Sequence, residues 1–443
     1  MPLRRGCSAV LAGACAVAGL AGCSSGHGPP GPVPPPAAYA YALEVTTAGQ
    51  VHWRVPLDGA FVSGLQLSPI AVGAVAIFAQ GDVLYGLDLA DGRREWSTTV
   101  SQGAAGFADM WRWQGLVIVL TDEMGGSPVL IGLDASNGQT QWTQQIGGYV
   151  EGSYPTADGG LAIIRLDDTL EVVDLSSGRV RWTRPAGYPP DTLQDSPAPM
   201  AVADGAVLFD VNGQLTSYDD RTGRIRWTEA PMPLQLANDA GIAPVLQASA
   251  GLVYATGMQQ SGVPWAQVLL GISVADGRVK WRIVAGPQET VSAYAPGLMS
   301  VTSSSGRAWQ DEFDPATGRV RWRAVSAYQA MATPAGTVTA PGTDSTDQIS
   351  VHDALTGQTR WTATLAGLNL GWPLRAPALP VVPAGPLLIV PAGGLHGPGL
   401  LTAFRMSDGH RAWQLTIPEP VTAPPTAVPG GMLVSSGIAL NAP

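Results

Sequence analysis

One spacing, Gly-x-x-x-Trp, returns nine times in this chain and constrains its fold more than any other feature. It runs from Gly49 to Trp53, Gly92 to Trp96, Gly138 to Trp142, Gly178 to Trp182 and Gly223 to Trp227. It continues from Gly277 to Trp281, Gly318 to Trp322, Gly357 to Trp361 and Gly409 to Trp413. Nine of the 14 Trp residues stand in this frame, and successive ones are 43, 46, 40, 45, 54, 41, 39 and 52 residues apart. A period of that size belongs to a repeat architecture, in which each unit buries its apolar face only against its neighbours.

The repeats read as β-structure. A short apolar or alternating run precedes each Gly, as in VLYGLDL, and an alternating run such as RVRWT follows it. That is strand, turn, strand. Gly supplies the positive φ of a tight hairpin. Four residues before it stands Asp88, Asp134, Asp174, Asp219, Asp314 or Asp353, whose carboxylate can hold turn amides. Val45, Ser273 and Arg405 take that place in the other three, a loss that a turn tolerates better than a catalytic site would. Two further strands precede the motif in each interval, as in Leu67 to Asp88 and Ala198 to Asp219. About four strands per repeat make a propeller blade. The 55 Gly and 38 Pro suit many short strands and argue against long helices. The first motif has no strands of its own before it, and the C-terminal segment has early strands but no motif. The two termini are therefore expected to complete one blade together, which protects their edges. Counted literally the blades number nine. The usual range of about four to eight favours eight, with some terminal strands outside the ring, and nine stays open.

The pattern Asp-x-x-x-Gly-x-x-x-Trp, as in LDASNGQTQW and FDPATGRVRW, resembles the tryptophan docking motif of the pyrroloquinoline-quinone (PQQ) repeat propellers. The resemblance covers Tyr39 to the C-terminus. It implies that each motif Trp docks between neighbouring blades, with its indole N–H on a backbone acceptor. That family holds quinone-dependent dehydrogenases and also non-catalytic members, among them a lipoprotein of outer-membrane barrel assembly. The motif thus bears on fold and names no ligand.

The N-terminus carries an address. Arg4 and Arg5 open an apolar stretch that ends in Leu20-Ala21-Gly22-Cys23, similar to a bacterial lipobox. Residues 1–22 are read as a lipoprotein signal peptide. Residues 23–38 are read as a lipidated Cys23 and a Pro/Gly-rich tether, and 39–443 as the propeller. Cys7, Cys15 and Cys23 are the only cysteines, so the propeller has neither thiol nor disulfide. The expected location is the extracytoplasmic side of a membrane, cell surface or periplasm, held there by lipid. The chain's net charge of −10 becomes −12 without Arg4 and Arg5, which disfavours nucleic acid as a partner.

Catalytic signals are sparse. A quinone dehydrogenase of this resemblance would bring PQQ, a Ca²⁺ held by oxygen ligands and an Asp base, often with an adjacent Cys pair. No Cys remains in the propeller. Asp167 and Asp168, and the run Asp311, Glu312 and Asp314, are read as solvated turn or edge residues in preference to cation ligands. His27, His52, His352, His396 and His410 lie apart, with no zinc spacing. Trp111, Trp113, Trp265 and Trp372 stand outside the motif frame and are candidates for a partner surface, although core packing is favoured for the first two. The leading expectation is a monomeric, lipid-anchored, non-catalytic scaffold that binds an envelope or exported protein and needs no cofactor. A PQQ- and Ca²⁺-dependent or degenerate quinone-binding oxidoreductase is the alternative. A small-molecule or glycan sensor is a second one.

Overall fold

Thirty-seven strands and no helix make up the described part of the chain. The structure is a computed structural model that describes residues 40–437 except 59–66, 101–105, 123–126, 166–168, 186–199, 212–213, 229–233, 236–245, 250, 260–265, 287–288, 296, 304–307, 326, 334–335, 342–347, 366–380 and 393–397. The described residues lie in one compact unit, 38–443. Cys23, with the rest of residues 1–39, falls outside them.

The strands form nine antiparallel sheets, eight of four strands and one of five. Blade 1 covers 70–99, blade 2 106–145, blade 3 150–185 and blade 4 200–228. Blade 5, the five-stranded sheet, covers 234–284. Blades 6, 7 and 8 cover 289–325, 327–364 and 382–417. Blade 9 is composite: Ala40–Thr46 pairs with Val51–Leu57 on one side and with Gly431–Gly437 on the other, and Thr426–Val428 completes it. The expectation of eight blades is therefore corrected to nine. No terminal strand described here is left outside a sheet, because the two N-terminal strands and the two C-terminal strands supply two halves of one blade.

Within each blade the middle strands are the driest. Leu387–Ala392 in blade 8 is buried throughout, whereas fourth strands such as Arg94–Thr99 bury little besides their Trp. First strands of neighbouring blades touch: Ile70–Val72 meets Gly106–Trp113, Val150–Pro155 meets Met200–Ala203, and Val382–Ala384 meets Thr426–Val428. The sheets thus converge at their first strands. The core lies between sheets, as apolar clusters that each join two neighbours. One of them packs Ile164, Val172 and Trp182 of blade 3 against Met200, Phe209 and Tyr218 of blade 4.

The nine motif glycines have φ between +63° and +77°, a conformation that costs other L-residues about 1–2 kcal/mol. They are crowded as well. A Cβ on each would lie 2.4–2.7 Å from the Trp ring of the preceding repeat: Gly92 from Trp53, Gly138 from Trp96, and so on around to Gly49 from Trp413. Each ring, bringing roughly 150–250 Å² of surface, lies flat on the bare backbone of the next hairpin.

Two glycines of blade 8 separate these effects. Gly409 (φ +70°) carries the Trp361 ring, whereas Gly385 (φ +59°) has nothing within 4 Å of its Cβ position. Gly385→Ala is expected to cost about 1 kcal/mol and Gly409→Ala more than about 3 kcal/mol, because only the second displaces a ring. Urea unfolding midpoints check the difference, and equal losses would contradict the assignment of the ring contact.

Candidate functional site

The repeated residues form a continuous set of contacts between blades. Trp53 Nε1 donates to Leu89 O, Trp96 to Ala135 O, Trp182 to Asp220 O and Trp227 to Val274 O. Trp281 donates to Pro315 O, Trp322 to Ala354 O, Trp361 to Met406 O and Trp413 to Thr47 O. All eight bonds measure 2.7–3.2 Å. Trp142 lies on Gly178 like the others, but its N–H is buried without a partner. The motif Asp caps its own turn: the Oδ1 of Asp88, Asp134, Asp174, Asp219, Asp314 and Asp353 accepts a backbone N–H two or three residues on. In the three repeats without Asp the glycine N–H still bonds a backbone carbonyl, of Ser273, Arg405 or Thr46.

Two features of the motif were not read from sequence. In all nine blades the strand register shifts beside the Trp, as between Val172 and Val173 of blade 3. The bulge leaves the residue before the Trp unpaired and re-aims it. In four blades that residue is an Arg that turns back onto the capping Asp: Arg181 to Asp174, Arg226 to Asp219, Arg321 to Asp314 and Arg360 to Asp353. The signal was available as Asp-x₆-Arg. Hydrogen bonds from Arg226 and Thr222 hold the Asp219 carboxyl down at about 2 against a small cost of burial.

With those side chains engaged in turns and interfaces, titratable groups that the repeat does not explain stand out. Two lie on adjacent first strands. Asp109, in Gly106–Trp113 of blade 2, accepts a bond from Ser153 Oγ of blade 3 at 3.4 Å, and burial pushes its carboxyl up. Glu151, in Val150–Pro155, has both carboxylate oxygens buried without a partner, and burial pushes it up to about 7. Neither was picked out from sequence, since each is a lone acid in an unremarkable strand. Of these two acids on the inner wall at blades 2 and 3, Glu151 is the group that burial brings to titrate near neutral pH.

The other sequence candidates divide. Trp111 and Trp113, on the same first strand as Asp109, are half-buried and pack against the buried cluster of Ile118, Leu120, Leu130 and Leu161. Trp113 also covers Gly159 of blade 3. Trp265, Trp372, Asp167, Asp168, His27 and His396 lie outside the described residues. Asp311 and Glu312 are not solvated, contrary to the sequence reading: both are buried in Ala308–Phe313. Arg323 grips Asp311 through two bonds of 2.6 and 2.8 Å while its guanidinium lies 4.6 Å from the Trp309 ring centre. Glu312 accepts a bond from Thr337 Oγ1 and pairs with Arg321 at 3.7 Å, and burial pushes its carboxyl up. The histidines near hairpins also differ. His52 and His410 are exposed beside Glu44 and Asp408, whereas His352 is half-buried on the Trp322 ring.

The family model described as outer membrane protein assembly factor BamB matches residues 111–324 and 345–439, more than half of the chain. The chain belongs to this BamB-like PQQ-repeat family. A curated relative, outer membrane protein assembly factor BamB of Yersinia pestis, is 22% identical over 160 residues. That match covers 35% of this chain and 38% of the relative, so the chain spans less than half of the relative's length in it. Among solved structures, BamB from Moraxella catarrhalis is similar with a TM-score of 0.41 and 18% identity, covering 73% of this chain and 93% of that one. A quinohemoprotein alcohol dehydrogenase from Pseudomonas putida superposes with a TM-score of 0.43 and 13% identity, covering 91% and 76%. Both structural likenesses are distant in sequence and in superposition.

The quinone branch of the resemblance implies a Ca²⁺ with six to eight oxygen ligands beside the cofactor. Among the described residues no three His, Cys, Asp or Glu side chains converge as a metal-holding group. Asp109 and Glu151, the two carboxyls of the inner wall, have no third His, Cys, Asp or Glu grouped with them among the described residues. These residues do not fit a Ca²⁺–quinone pair, and no catalytic step is derived through one.

Glu151 carries a pH signature. Its folded value, raised from 4.5 to about 7, means that the native state keeps a proton the unfolded chain has already lost. Stability therefore falls as pH rises between those values. Glu151→Gln is expected to melt above the parent at about pH 8 and together with it at about pH 4. Melting profiles that stay parallel across that range would refute the assignment.

Proposed function

We propose that this chain is a lipid-anchored, extracytoplasmic propeller that acts as a non-catalytic protein-binding scaffold in the cell envelope. The observation that carries the reading is membership, over more than half of the chain, in a family described by an assembly factor. The geometry supports it in two ways. The repeated Trp and Asp side chains serve interfaces and turns, which removes the most conspicuous candidates for ligand contact. Second, apolar side chains recur where a partner could reach them: Val180, Ile225, Val279 and Val320 stand at one motif position in the fourth strands of blades 3 to 6, and all are exposed. The repetition of an exposed β-branched residue at one position on four successive blades offers a partner the same apolar contact on each blade. The Leu20-Ala21-Gly22-Cys23 sequence supplies the anchor.

Two measurements test the reading. Cys23→Ala is expected to move the full-length protein from the membrane fraction to the soluble fraction, and continued membrane association would remove the anchor from the proposal. Titration with PQQ, with and without Ca²⁺, is expected to leave Trp fluorescence unchanged and to give no dye-linked alcohol or sugar oxidation. Saturable, Ca²⁺-dependent binding with turnover would replace the scaffold with an oxidoreductase.

A further inference from the structure

At the turn ends of blades 3 and 4 the repeat breaks its own rule. The residue after the capping position, three before the motif Gly, is apolar in seven other turns: Leu89, Ala135, Leu175, Val274, Pro315, Ala354 and Met406. In blade 4 it is Asp220. Its backbone does what the position requires, since its N–H bonds Gly205 O at 3.0 Å and its carbonyl accepts the Trp182 indole at 2.9 Å. The side chain is only 2% exposed, and Oδ2 has no hydrogen-bond partner. A buried carboxylate with an unmet oxygen is costly, so its retention calls for a compensating group.

Asp220 lines a cavity of about 320 Å³ together with Asp158, Gly205, Asp219, Arg221 and Arg226. That is many times the ~30 Å³ share of one water. The arginines nearby are already engaged. Arg181 bonds Asp158 and also Asp174. Arg221 Nε bonds Asp158 at 2.8 Å. Arg226 bonds Asp219 at 3.0 Å and the carbonyls of Asp204 and Gly205. Three guanidiniums thus answer Asp158, Asp174 and Asp219, and Asp220 is the acid left over. Burial, then the negative charges of Asp158 and Asp219, push its carboxyl up, and the charges of Arg226 and Arg181 pull it partly back.

We propose that this cleft receives one guanidinium or ammonium group from a partner chain, with Asp220 as its counter-ion. A metal ion fits less well, since no metal-holding group of three side chains exists among the described residues. An anion would meet Asp220 and Asp158 while the arginines are committed elsewhere. A long basic side chain fills the space beside Asp220, compensates its charge and leaves the existing ion pairs intact. That the cation comes from a protein rests on the scaffold reading; that the cleft takes a cation does not.

The test uses the full-length protein and capped tripeptides Gly-X-Gly, with X as Arg, Lys or citrulline, followed by ligand-observed NMR. Saturable binding of the Arg or Lys peptide is expected, with none of the neutral citrulline peptide. Asp220→Asn keeps the shape, and its fold is checked by melting temperature, which is expected to hold or rise. It is expected to weaken the basic peptide about tenfold or more, the scale of a charged hydrogen bond. Asp408→Asn, on the turn of blade 8, is expected to change nothing. Equal binding by Asp220→Asn, equal binding of citrulline, displacement of the peptide by millimolar Ca²⁺, or no binding of either basic peptide would each overturn the proposal. These outcomes are separate from quinone turnover, which would remove the scaffold reading and leave the cleft result standing.

Discussion

A tryptophan ring laid on the bare backbone of the next blade's hairpin is the contact on which this domain depends. It requires glycine twice over. The turn takes a φ near +70°, and the ring occupies the space a Cβ would need. Because each ring lies on the hairpin of the following repeat, no blade completes its packing alone. Trp413 finds Gly49 and Thr47, which places the last motif in the sequence beside the first. The sheet that pairs Ala40–Thr46 with Gly431–Gly437 makes the same connection through backbone hydrogen bonds.

The bulge beside each Trp links this packing to electrostatics. It frees the preceding side chain from the strand register, and where that side chain is Arg it returns to the Asp that caps the turn. Turn, ion pair and ring contact are therefore one assembly of about nine residues. Such ion pairs are partly exposed and contribute little individually. Their value lies in holding the turn in the shape that receives the ring. Functional chemistry then has to be sought where a repeat departs from its siblings. Asp220 in place of an apolar residue, Glu151 with no partner, and Glu312 opposite a Trp are three such departures.

Much of the architecture was legible in the sequence. The nine motif positions and the turn aspartates have fixed spacing, and local backbone chemistry makes that spacing meaningful. The preference for eight blades failed because it weighed a usual range of propeller sizes above the literal count of motifs. Asp311 and Glu312 were misread as solvated because a run of acids in WQDEFD resembles a surface turn, whereas Arg323, Arg321 and Thr337 come from neighbouring strands to meet them. The inner wall and the Asp220 cleft were missed for a related reason. Asp109 and Glu151 are far from motif positions, and Asp158 and Asp220 are separated by a whole blade in sequence.

By itself, then, the sequence determined the repeat, the strand–turn–strand unit, the glycines and the aspartates that close each hairpin, since all of these follow from bonds between residues a few positions apart. The shared blade of the two termini was also legible there; only the tertiary structure decided that nine sheets form and which acids are buried without a counter-charge. Those outcomes depend on which blade faces which, and desolvation and pairing are properties of that contact and of no single segment.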